Sequence, residues 1–149
     1  LNRIEINDEN LNQVIKAVID DLITEKLKNM KINEYDINFS KDEFDKYEKQ
    51  FYSRINYEEN EIKKIFSLND VNYKYLKEFI EIELKWQKLV YGLYFRVASV
   101  TEQEVNDLIS KNPNLNEEIA NEILLQKQLD IKSTKLIQDL RDEATIEYK

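Results

Sequence analysis

The sequence predicts an all-α domain of about five to six helices arranged around one long central helix, and three observations carry that prediction. The 149 residues include one Gly and one Pro, whereas sandwiches, barrels and doubly wound sheets use both residues at their corners. Apolar residues recur at three- and four-residue spacing in successive stretches, the period of a helix with one buried face. Two of these stretches follow Ser-x-x-Glu or Thr-x-x-Glu, the spacing of a capping box. With 42% apolar residues the chain can build a core unaided. A compact protein of this mass keeps roughly 8,000 Å² in contact with water and buries about 69% of its unfolded surface.

The first element is expected over residues 11–30, where Leu11, Val14, Ile15, Val18, Leu22, Ile23 and Leu27 form a stripe, with Asp8 or Asn10 as the cap. Lys31 to Phe39 breaks the period. Ser40 and Glu43 then open a second helix that runs to about Ile55 and carries Phe44, Tyr47 and Phe51 on one face. A short third helix lies within Asn56 to Phe66, with Glu58, Glu59 and Glu61 near its N-terminus, where the helix dipole favours anions.

The strongest periodicity runs from about Asn72 to Ala98 through Leu76, Phe79, Ile80, Trp86, Leu89, Val90, Leu93 and Val97. That predicts a central helix about 40 Å long. Gly92 inside it points to a close helix crossing, since a mid-helix Gly otherwise costs about 1 kcal/mol relative to Ala. Thr101 and Glu104 cap a fifth helix bearing Val105, Leu108 and Ile109. Lys111-Asn112-Pro113-Asn114 is the clearest break in the chain. It divides an N-terminal part, residues 1–110, from a junction at 111–116 and a C-terminal part at 117–149. A last helix starts at Asn116 and carries Ile119, Ile123, Leu124, Leu129, Leu136 and Leu140, with its stripe weakened over Asp130 to Ser133. The alternating Arg3-Ile4-Glu5-Ile6 and Ala144 to Tyr148 would allow two short strands to pair the termini.

Composition also prunes chemistry. Without His or Cys the chain lacks a Ser-His-Asp triad, a thiol nucleophile and a thiolate or imidazole metal site. One Gly rules out a phosphate-cradling loop. Carboxylate doublets such as Asp20/Asp21 and Glu117/Glu118 read as solvated faces, because acid–base work needs two carboxylates held in a cleft with separated pKa values. No enzyme, metal or other cofactor is expected. A net charge of −8 repels nucleic acid and anionic lipid, and no apolar stretch is long enough to insert into a membrane. The chain opens at Leu1 without a Met or a signal-like segment, as a processed or trimmed product would.

Nine Tyr, six Phe and one Trp remain. Tyr91, Tyr94 and Phe95 occupy a different stripe from Trp86, Val90, Leu93 and Val97. A second apolar face means burial on two sides or a patch for a partner. The contact candidates are therefore Tyr47, Phe51, Tyr52, Tyr91, Tyr94 and Phe95.

The order of motifs resembles the SurA-like periplasmic chaperones of the parvulin foldase family. The resemblance lies in Val18 to Leu27 followed by Phe39 to Phe44, in Asn72 to Ile80 leading through Arg96-Val97 to Val100-Thr101-Glu102-Gln103-Glu104-Val105, and in the closing Leu136 to Tyr148. It implies a non-catalytic chaperone module in the periplasm that binds unfolded outer-membrane polypeptides through an aromatic-rich apolar surface. The family's prolyl isomerase domain would sit between Ser110 and Asn116, where this chain has only a short junction. The alternative is a helical dimerisation or docking module of an isomerase whose catalytic domain lies outside this chain, with a homodimer formed through the same stripe.

Overall fold

A computed structural model describes residues 8–144, with side chains from Leu11 onward, and is helical throughout apart from short connections. The elements are α1 (Asp8–Ile32), α2 (Lys41–Ile55), α3 (Glu59–Leu68), α4 (Lys74–Tyr94), α5 (Glu102–Lys111) and α6 (Glu117–Glu143). The all-α expectation stands, with six helices and no strand among the described residues. The expected pairing of Arg3–Ile6 with the C-terminal tail lies outside them, save Ala144, which ends α6 in an extended conformation.

Three helix starts follow from local chemistry alone. The Ser40 hydroxyl accepts from the Glu43 backbone N–H, while the Glu43 carboxylate accepts from the Ser40 N–H at 2.7 Å. Thr101 and Glu104 repeat the exchange at the head of α5, and Asn116 caps α6 by accepting from the Ile119 N–H at 2.8 Å. Each bond satisfies a donor that a helix N-terminus leaves free. The start of α1 departs from expectation: Asp8 and Asn10 stand inside its first turn rather than ahead of it.

The scarcity of Gly has a structural answer. Helices α2 and α3 each end in a residue with left-handed backbone, Asn56 at φ 54° and Asp70 at φ 53°. In both, the next N–H reaches back five residues, Tyr57 to the Tyr52 carbonyl and Val71 to the Phe66 carbonyl. This is the Schellman ending, for which Gly is the commonest residue and Asn a workable substitute. Because Asn56 closes α2, the third helix starts at Glu59 and not within the Asn56 turn.

Helix α4 is the hub, packed against α1, α2 and α6. Its 21 residues span about 31 Å, shorter than the 40 Å expected. Asn72 spends its side-chain carbonyl on the Lys74 N–H, and beyond Tyr94 the chain must straighten to reach the extended Thr101 cap. Gly92 is exposed, and a Cβ there would meet nothing within 4 Å. It marks no helix crossing.

Two cores sit on the two halves of α4. Its N-terminal half, with α2 and α3, forms an aromatic cluster around Tyr52, Ile62 and Ile80, ringed by Phe44, Phe51, Phe66, Tyr73 and Phe79. Its C-terminal half, with α1 and α6, forms a second cluster of Ile32, Trp86, Leu89, Val90 and Leu129. Leu93 and Val97, expected in that stripe, are exposed, and Tyr94 packs in their place. Helices α5 and α6 fold back on each other across the Asn112 to Asn116 turn, burying Val105 and Ala120. The chain keeps 11,869 Å² of accessible surface, well above the roughly 8,000 Å² of a compact protein of its mass.

Candidate polypeptide-binding cleft

A cleft of about 440 Å³ opens where α2, α4 and α6 meet. Trp86 and Val90 form its floor, Tyr47 from α2 and Tyr91 from α4 its aromatic walls, and Gln126 and Asp130 its α6 rim. The floor is fixed by a polar tie: the Trp86 indole N–H donates to the Ser133 hydroxyl at 2.8 Å. That bond explains the weak stripe at Asp130 to Ser133, since a Ser there faces inward to satisfy a buried donor. Lys28 and Glu83, which also line the cleft, pair at 2.6 Å, and the Lys28 ammonium lies 5.8 Å from the indole ring centroid. On the rim, the Gln126 amide donates to Asp130 at 2.8 Å. Arg54, Gln87 and Lys88 also line the cleft, so an apolar floor with aromatic walls is edged by charged and amide side chains.

The six sequence candidates separate. Tyr91 and Phe95 are 47% and 44% exposed and stack with ring centroids 4.6 Å apart, an aromatic step on the surface beside the cleft. Tyr47 is half-buried under the Arg54 guanidinium, 5.5 Å from its ring. Phe51 belongs to the aromatic core, edge-on to Phe79 at 6.1 Å. Tyr94 packs into the aliphatic core and does not share the stripe of Tyr91 and Phe95. Tyr52 is buried, its hydroxyl donating to Glu48 at 2.7 Å and meeting the Tyr73 hydroxyl. It is a core residue and offers a partner little surface.

Around Tyr52 lies a polar network joining three helices: Glu48 pairs with Lys77, the Tyr73 hydroxyl donates to Tyr52, and Lys77 also lies 3.6 Å from Glu59. Burial first, then the bonds to Tyr73 and Glu48, raise the Tyr52 pKa, so the phenol stays protonated. Burial works against the charge of Lys77, but its bond to Glu48 prevails and raises its pKa. No buried side-chain nitrogen or oxygen among the described residues lacks a partner. The network therefore reads as a clamp between α2, α3 and α4, with its donors and acceptors spent on one another.

No protein-family model, curated protein or solved structure matches the chain. Nothing in these comparisons links the chain to SurA-like chaperones. No group of three or more metal-ligating side chains occurs among the described residues, and none of their helices is long and apolar enough to cross a membrane.

Sequence reasoning missed Gln126, Asp130 and Ser133. For Asp130 and Ser133 the signal is the interruption of the α6 stripe, and Gln126 leaves none, because the α4 residues they meet lie more than thirty positions away.

Proposed function

We propose that the protein is a non-catalytic, chaperone-type module that holds apolar segments of unfolded polypeptides in the α2–α4–α6 cleft and on the adjoining Tyr91–Phe95 step. The observation that carries this reading is the pairing of an exposed aromatic stack with a cleft whose rim offers amide and carboxylate groups. An apolar client side chain would sit against Trp86 and Val90, while Gln126 and Asp130 take client backbone N–H groups. At about 25 cal/mol per Å², a few hundred Å² of such contact yields several kcal/mol before ordering costs. That suits weak, reversible capture of many sequences. A periplasmic location and outer-membrane clients rest on the resemblance alone.

Trp86, the single Trp of the chain, makes the test direct. Titration with an unfolded, aromatic-rich peptide should change its emission saturably, and the protein should slow aggregation of a denatured porin. A folded protein that does neither refutes the reading. Prolyl isomerisation assayed on this chain should be nil.

A further inference from the structure

Helix α1 is two helices in one. Its C-terminal half buries Leu27 and Ile32 against the bundle. Its N-terminal half projects, and every residue from Leu11 to Leu22 is exposed. Within that half, Leu11, Val14, Ile15, Val18, Ile19 and Leu22 are between 36% and 58% exposed. They share one face about 140° wide at 100° per residue. The face amounts to roughly 500 Å² of apolar side chain, near the top of the 300–600 Å² typical of a monomer's largest patch. Helices draw most of their stability from packing an apolar face, and among the described residues this one is left uncovered. Below it, Asp20 and Thr24 bond Arg141, which anchors the projection to α6.

We infer that this face pairs antiparallel with the same segment of a second copy, forming a two-fold symmetric homodimer. The spacing is palindromic. About a two-fold axis midway between positions 16 and 17, Leu11 meets Leu22 and Ile15 meets Val18 along the seam, while Val14 flanks it on the same side as its own copy and Ile19 does so on the other side. Leu11, Ile15, Val18 and Leu22 also follow the alternating four- and three-residue step of a coiled-coil seam. Charge selects the orientation. A parallel pair would bring two bodies of charge −8 side by side. The antiparallel pair sets the bundles at opposite ends. Such an interface removes roughly 1,000–1,500 Å² from water in total, the lower end of the range for specific complexes. The dimer is accordingly one of micromolar strength, and none of the six residues lines the cleft.

Sedimentation of the whole chain should shift from 18.0 kDa toward twice that mass as concentration rises to roughly 100 µM. Val18→Lys, a change at an exposed position, should abolish the shift with unchanged melting of the bundle. Because the chain has no Cys, introduced thiols report orientation: an oxidised mixture of Leu11→Cys and Leu22→Cys should give the mixed disulfide, and Leu11→Cys alone should give almost none. A monomer at the highest concentration, a dimer that survives Val18→Lys, or a Leu11→Cys chain that cross-links to itself as fast as the mixture would each overturn the inference. Peptide titration of the monomeric Val18→Lys variant separates this result from the cleft's own function.

Discussion

The two halves of α4 use aromatic residues in opposite ways. Around its N-terminal half, Phe51, Phe79, Tyr52 and Tyr73 stack on one another and are locked by the Glu48–Lys77 network, so that end is sealed by α2 and α3. Around its C-terminal half, a mostly aliphatic core holds the bundle together while Tyr91 and Phe95 remain outside and Trp86 floors an open cleft. Aromatic density alone therefore does not mark a binding surface. What distinguishes the two is whether a neighbouring helix supplies the other side of the contact, and among the described residues Tyr91 and Phe95 at the C-terminal half stay exposed.

The largest expected effect comes from Trp86→Ala, which removes the cleft floor and a core residue together. Chemical denaturation should register a loss of about 3–5 kcal/mol, and peptide binding should vanish in whatever fraction stays folded. Next, Tyr52→Phe should cost about 1–2 kcal/mol by leaving buried Glu48 one donor short, with peptide affinity unchanged. A weakened affinity would show that the sealed end takes part in binding, and the contrast between the halves would fall. Gly92→Ala should raise the melting temperature by the equivalent of about 0.5–1 kcal/mol, since the helix gains a better former and the added Cβ meets nothing. Should the same variant lose peptide affinity, the open space at Gly92 is used by the client.

The smallest effect is electrostatic. The hydrogen bond from Lys88, then that from the Ser40 N–H, lowers the Glu43 pKa from 4.5 to about 2. A lowered folded-state pKa adds stability above the ordinary value, lost as pH falls from about 4.5 to about 2. Melting curves across that window should steepen in their pH dependence for the native chain relative to Glu43→Gln. Glu43 is exposed, so solvent screening keeps the difference small.

The elements legible in the sequence are those specified within four residues of themselves. Ser40 with Glu43 and Thr101 with Glu104 announce helix starts because the cap and its partner lie one turn apart, and Pro113 announces the break between α5 and α6. The end of α4 was less legible, because what stops it is the need to reach the next cap rather than a breaker of its own. Least legible was the sorting of aromatics. Tyr52 and Tyr91 look alike on a helical wheel, and what separates them is that α3 packs over the first while the second stays exposed among the described residues. The left-handed Asn56 and Asp70 likewise show in sequence only as polar residues after a stripe, yet they are how a chain with one Gly turns its corners.

The central claim is that the open half of α4 binds polypeptide and the sealed half does not. Trp86 emission, followed while an unfolded aromatic-rich peptide is titrated into the native chain, Tyr91→Ala and Tyr52→Phe, tests it most directly. The account predicts saturable binding to the native chain, the same affinity for Tyr52→Phe, and about tenfold weaker binding for Tyr91→Ala at a stability within about 0.5 kcal/mol of native. Equal affinity for Tyr91→Ala and the native chain, or loss of binding in Tyr52→Phe alone, would contradict it.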